Sequence, residues 1–244
     1  MSKSIRAEII KALKDQKEVF GDELFSAGLL KNEFITEKIS VKKVKEEPSL
    51  FIDTENKWEA AENLDDLNNQ ICKCKKCDLH KGRNKFVFGV GNPKADVMLI
   101  GEGPGAEEDK QGEPFVGRAG QLLNDILKAI NFTRQEVYIA NVVKCRPPGN
   151  RTPLPEEMEA CMPYLSKQIE LIKPKLILCL GLVAASGLLK KKDSLGRLRG
   201  KIFEFNSTKV MVTYHPAALL RNPNFKRDCW EDVKAFKKLY DEIK

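Results

Sequence analysis

No apolar run in this 244-residue chain approaches the length of a membrane-spanning helix. An integral helical membrane protein is excluded on that ground, and no membrane partner is expected. The first residues, MSKSIRAEII, lack the long apolar stretch of a secretory signal, so a cytoplasmic protein is expected. Histidine is scarce, with only His80 and His215. The glycine-rich stretch GEGPGA fails the G-x-G-x-x-G spacing of a dinucleotide site, because Gly101, Gly103 and Gly105 fall at alternate positions. The seven cysteines are odd in number and accompany no signal, which argues for a reducing compartment and for metal or cluster ligation over disulfides.

What is present fits a globular chain with a polar surface: 42% of residues are hydrophobic and 32% charged. The length suits one or two domains with a proper core. A net charge of +7, from 42 basic and 35 acidic side chains, hints at a polyanionic partner.

Residues 1–57 differ from the rest. Ile5, Ile9 and Leu13 recur at helical spacing within Ser2–Val19, with Gly21 as a stop, and Leu24, Leu29, Leu30 and Phe34 suit a second short helix. SVKKVKEEPS (Ser40–Ser49) reads as a charged linker. No catalytic signature occurs here. The segment is read as an extension tethered to a domain of residues 58–244, or as a docking segment for a protein partner.

From Trp58 the pattern becomes regular. Trp58, Ala61, Leu64, Leu67 and Ile71 line one helical face, and KFVFGVGNP predicts a short strand and a turn. Four apolar runs follow: DVMLI (Asp96–Ile100), VYIANVV (Val137–Val143), LILCLG (Leu176–Gly181) and VMVTY (Val210–Tyr214). Helical segments are predicted near 119–130, 156–172 and 182–190, with a last helix from about Asp228 to Ile243. Short continuous apolar strands alternating with helices predict a mainly parallel sheet covered on both faces. In such sheets ligands bind beyond the carboxyl ends of the strands. Glu102, Asn141 and His215 stand at three of those ends and should converge.

The stretch GEGPGAEEDKQGEPFVGRAG (101–120) links a strand to a helix and holds six glycines in twenty residues. Glycine lets backbone approach a ligand closely. Phe115 in this polar loop either stacks on a flat ligand or plugs the loop onto the core.

Cys74-x2-Cys77 is a close pair suited to a metal or cluster. Cys145 and Cys161 form a wider pair, with 15 residues between them, around a loop carrying Pro147, Pro148, Pro153 and Pro155. Four thiolates suit zinc or an iron–sulfur cluster equally, and Cys72 is an alternative ligand. Cys179, in an apolar strand, and Cys229 read as structural. His80 reads as surface. After His215 comes PAALLRNPNFKR, where apolar residues adjoin basic ones, as suits a wedge into a nucleic-acid stack with phosphate anchors, or a staple for the last helix.

Taken together these residues resemble a known family. Cys74-x2-Cys77, GEGPG, the Glu108-Asp109 pair, PFVGRAG (Pro114–Gly120), VYIANVVKCRPP (Val137–Pro148), Cys161 and HPAALLRNP (His215–Pro223) are similar to the family 4, iron–sulfur, uracil-DNA glycosylases. The resemblance covers Cys72 to the C-terminus and leaves residues 1–57 out. It implies a three-layer α/β/α sandwich and a [4Fe-4S] cluster on Cys74, Cys77, Cys145 and Cys161. It also implies excision of uracil from DNA to leave an abasic site, by a nucleoid-associated monomer.

On that reading Phe115 stacks on a base flipped out of the duplex. Asn141 donates to uracil O4 and accepts from N3–H. Backbone N–H groups around Gly103 and Pro104 face the pyrimidine oxygens, with Glu108 beside them. His215 stabilises charge developing on O2. Lys144, Arg146 and Arg221 are the phosphate candidates, and Leu220 belongs to the wedge. The best-known uracil glycosylases carry an aspartate where this chain has Gly103. Glu102, as the nearest carboxylate, either activates water or shapes the loop. A branch that links covalently to DNA uses a histidine in an insert after PFVGRAG; no such insert or histidine occurs here. A glycosylase for hypoxanthine or mismatched thymine, and a non-catalytic damage binder, are the competing readings.

Overall fold

A computed structural model describes residues 54–244. The helices expected within Ser2–Val19 and around Leu24–Phe34, and the linker Ser40–Ser49, lie outside the described residues. The chain enters through a 3-10 segment, Thr54–Ala60, and then helix α1 (Leu64–Ile71). The single helix expected over 58–71 is thus two pieces. Asn63 divides them, its extended backbone capping α1 while its side-chain oxygen accepts from the Asp66 amide at 2.9 Å.

Six strands form one sheet in the order β1-β3-β2-β4-β6-β5. β2 (Val97–Gly101), β3 (Tyr138–Asn141), β4 (Leu176–Leu180) and β6 (Thr208–Thr213) are the expected apolar runs and pair in parallel. β1 (Val90–Gly91) and β5 (Ile202–Phe205) flank them antiparallel. Helices α2 (Ala106–Gln111) and α3 (Arg118–Ala129) follow β2, α4 (Pro155–Ile172) follows β3, and α5 (Leu182–Leu189) and α6 (Leu195–Leu198) follow β4. After β6 come α7 (Pro216–Arg221) and α8 (Phe225–Ile243), the latter starting three residues before the expected Asp228.

Alternate strand residues face opposite cores, as the pleat requires. Met98, Ile100, Ile177, Cys179, Val210 and Val212 pack with α1, α4, α5 and α6. Val97, Leu99, Leu178, Leu180 and Met211 pack with α3, α7 and α8. Two helical layers therefore sandwich the sheet, the three-layer α/β/α arrangement that the alternation of runs predicts. Cys179 and Cys229 are buried among these apolar side chains. Among the described residues no helix is long and apolar enough to cross a membrane.

Candidate active site

The parallel strands deliver their carboxyl ends to one edge of the sheet. Glu102 follows β2, Asn141 ends β3, and His215 stands two residues beyond β6. All three line one cavity of about 380 Å³, together with Gly103, Pro104, Glu108, Phe115 and Arg221. The convergence expected from topology is therefore present.

Gly101 lets two groups of the site come close to bare backbone. A Cβ there would sit 2.4 Å from Asn141 Oδ1 and 2.6 Å from Phe115 Cζ. Those two groups thus meet above a bare backbone. Asn141 is buried, and its Oδ1 has no hydrogen-bond partner. A buried acceptor left unpaired is costly unless a ligand completes it. Phe115 is buried at a positive φ of 55°, which is uncommon for an aromatic residue. Its loop is held from two sides. Glu108 Oε1 accepts from the amides of Val116 and Gly117, both at 3.0 Å. Arg134 donates to the carbonyls of Pro114 and Phe115.

Glu108 Oε2 accepts from the Gly105 amide at 3.1 Å. Glu108 therefore borders the cavity with both oxygens committed to backbone. The same bond narrows the expected row of backbone donors. Gly105 gives its N–H to Glu108 and Pro104 has none, which leaves those of Glu102 and Gly103.

His215 caps α7, and its Nδ1 accepts from the Ala217 amide at 3.1 Å. The ring proton then belongs on Nε2. Burial, helped by the Arg221 charge and opposed by Glu108, lowers its pKa to about 4, so the imidazole is neutral at physiological pH. The Phe115 ring lies 5.4 Å away, tilted by 31°. Burial raises the Glu102 carboxyl above its ordinary value, with Arg221 opposing.

The flanking basic residues divide. Arg221 and Leu220 are exposed at the end of α7, and Arg146 is half-buried with Nε donating to Asn150 Oδ1 at 2.7 Å. Lys144 is a correction. It is fully buried, with Nζ donating to the Asn141 carbonyl at 2.9 Å and to Gln168 Oε1 at 2.6 Å. Those acceptors draw the ammonium inward, where no phosphate reaches it. One wall is not marked by any sequence motif: Asn150, Arg151 and Thr152 also line the cavity. Arg151 is pinned by both oxygens of Glu157, at 2.8 and 2.6 Å. That wall's one trace in the sequence is the proline-stiffened loop between Cys145 and Cys161.

That loop starts and ends at a second centre. Cys74, Cys77, Cys145 and Cys161 line one small cavity with His80 and Phe86, whereas Cys72 is outside it and donates to the Asn69 carbonyl at 3.6 Å. Donors already face the sulfurs. Arg83 points at Cys145 Sγ (3.3 Å), the Lys76 amide at Cys74 Sγ (3.4 Å), and the Tyr164 hydroxyl at the same sulfur (3.4 Å). None of the seven cysteines is in a disulfide. Among the described residues no three Cys, His, Asp or Glu side chains already form a metal-holding group.

Comparisons with known proteins point to one family. A family profile described as the uracil DNA glycosylase superfamily matches residues 88–238. A type-4 uracil-DNA glycosylase of Archaeoglobus fulgidus is 46% identical over 181 aligned residues, and the match covers 71% of this chain and 91% of that one. Another, from Pyrobaculum aerophilum, is 46% identical over 71% of this chain and 93% of its own. A third, from Thermotoga maritima, is 45% identical over 72% and 94% respectively. This chain belongs to the uracil-DNA glycosylase superfamily.

Proposed function

We propose that the chain removes uracil from DNA by hydrolysing the N-glycosidic bond, leaving an abasic site. The observation that carries this reading is the unpaired Asn141 Oδ1, buried beside the Phe115 ring at the floor of the cavity. An amide edge at the level of an aromatic face suits a planar base that offers N–H and C=O side by side.

A base flipped into the cavity stacks on Phe115, with Asn141 Oδ1 accepting from N3–H and Nδ2 donating to O4. The His215 Nε2–H then donates to O2 as the bond breaks and uracil leaves as an anion. A neutral donor fixed by its own Nδ1 hydrogen bond needs no reorganisation at that moment. Glu102 lines the same cavity, and its carboxylate orients the attacking water. Arg221 and Arg146 take phosphates and Leu220 fills the gap left by the flipped base. Asn141 therefore rejects cytosine, whose exocyclic amine would face Nδ2 donor to donor.

The four cysteines suit a [4Fe-4S] cluster, supported by their shared cavity and by the N–H and O–H donors aimed at sulfur. When bound, the cluster supplies a covalent tie between the segment before β1 and the loop that forms one wall of the cavity. No step of the reaction passes through it. The catalytic unit is residues 58–244. Deleting residues 1–57 should leave excision on short oligonucleotides within a few-fold, since no site residue lies there.

Turnover of uracil in single- and double-stranded oligonucleotides, with hypoxanthine and mismatched-thymine controls, tests the reading. Uracil release should dominate and weaken in Asn141→Asp. Tight binding of uracil-containing DNA without base release would make the protein a damage binder.

A further inference from the structure

Lys144 is a buried ammonium that base excision, as derived above, does not use. We infer that Lys144 is a positioning residue: it fixes the reach of the Asn141 amide by tying the end of β3 to helix α4.

The need for such a tie follows from the sheet. Gly101 and Asn141 are register partners, and the Gly101 carbonyl accepts from the Val142 amide at 2.9 Å. In a parallel ladder this turns the carbonyl of Asn141 itself away from β2, toward the β1 side. There β1 gives out. It pairs only with Ile139 and Tyr138, so it offers no strand partner to Asn141. The reading residue thus sits where the ladder ends on one side. A buried carbonyl in that position needs a donor, and Lys144 Nζ supplies it at 2.9 Å.

The ammonium is held in turn. Gln168 Oε1 accepts from it at 2.6 Å, while Gln168 Nε2 donates to the Phe88 carbonyl at 3.0 Å and the Tyr138 hydroxyl at 3.3 Å. Gln168 is itself fully buried on α4. The chain of bonds therefore runs from the Asn141 backbone through Lys144 and Gln168 to Phe88, just before β1, and back to Tyr138 of β3 itself. Four-carbon reach and a multiple donor are what the position demands, which lysine alone combines in this compact form. The side chain of Asn141 has no protein partner of its own at Oδ1. Its aim is consequently set by its backbone, and the backbone is set by Lys144.

This inference rests on Asn141 as the base reader, and the test separates the two. Wild type, Lys144→Met and Gln168→Leu are compared at a temperature well below all their melting points, with Phe236→Leu, a core change on α8, as a control for lost stability. Steady-state kcat and KM are measured on uracil and on thymine opposite guanine. Affinity is measured with an oligonucleotide carrying 2′-fluoro-deoxyuridine, which resists cleavage. A merely structural loss lowers the active fraction, so it scales kcat alike for every base and leaves KM and probe affinity of the folded fraction unchanged. Lost positioning raises KM, weakens the probe and narrows the preference for uracil. Lys144→Met should cut kcat/KM for uracil about tenfold to a hundredfold, the scale of a misplacement near 1 Å, with Gln168→Leu smaller in the same direction. If Lys144→Met does not fold, Gln168→Leu alone decides. Wild-type KM, probe affinity and base preference in the folded variants would overturn the inference and leave the glycosylase reading standing. A wild-type protein that releases no uracil would sink both.

Discussion

The backbone amide of Ala217 donates to Nδ1 of His215 at 3.1 Å. One bond thereby settles which nitrogen faces the cavity as a donor. It also disfavours a proton on a half-buried ring whose pKa desolvation, above all, lowers to about 4 from an ordinary value near 6.5. Because the folded value is depressed, the unfolded chain binds a proton between pH 6.5 and 4 that the folded chain refuses. The stability contributed by neutral His215 is therefore complete above about pH 6.5 and lost as pH falls toward 4. The difference in melting temperature between wild type and His215→Asn should shrink over that interval. The single-turnover rate should show no step near pH 6.5. A step there that His215→Asn removes would mean the ring titrates as an exposed histidine.

Gly101 tests the floor of the cavity. Gly101→Ala places a methyl group 2.4 Å from Asn141 Oδ1 and 2.6 Å from Phe115 Cζ. Both contacts lie inside normal van der Waals distance, so the reader and the stacking ring must separate. Overpacking of this kind costs about 1–3 kcal/mol of stability, which a core of this size tolerates. Uracil excision should fall by about a hundredfold or more. Activity like that of the wild type would place the base elsewhere.

Those two sites show what the amino-acid pattern could reveal. β2, β3, β4 and β6 are legible because both of their faces are buried, which writes them as unbroken apolar runs. Their order then places Glu102, Asn141 and His215 together. β5 was missed because it is an edge strand whose residues Ile202–Phe205 alternate between exposed and half-buried. Its turn uses Asn206 and Ser207, at φ of 47° and 65°, without the glycine that marks such hairpins. The burial of Lys144 is hidden in the sequence for a different reason. A lysine beside a site looks like a phosphate ligand until its acceptor appears, and Gln168 is 24 residues away on another element. Arg83 was silent likewise, since its sulfur partner Cys145 is 62 residues off.

Among the cysteines, position predicts colour. Protein purified without oxygen should be brown and contain about four iron and four sulfide per chain. Cys74→Ser, Cys77→Ser, Cys145→Ser and Cys161→Ser should each bleach it. Cys72→Ser should not, because that thiol lies outside the shared cavity. Arg83→Met removes the donor at 3.3 Å from Cys145 Sγ and two bonds to the carbonyls of Cys72 and Cys74. It should shift the reduction potential and hasten bleaching in air. Colourless protein with one firmly held zinc would replace the cluster by a single ion.

The final prediction separates His215 from Glu102. Both border the cavity, and burial acts on both in the direction of neutrality. For His215 neutrality is useful, since a neutral Nε2–H still donates to a developing anion. For Glu102 it is a handicap, since a raised pKa leaves less carboxylate to take a proton from water as pH falls. If the glycosidic bond breaks largely before water attacks, the anion sets the barrier and water activation comes late. Removing one well-placed donor to developing charge costs about a hundredfold or more in rate. Lost help from a general base is of similar size only when water attack shares the barrier. His215→Ala should therefore slow single-turnover excision more than Glu102→Gln, with DNA affinity nearly unchanged in both. Glu102→Gln keeps the shape of the side chain and deletes only its charge, so it isolates the base role. Loss of excision in Glu102→Gln with most of it kept in His215→Ala would reverse the roles and make Glu102 the residue that activates water.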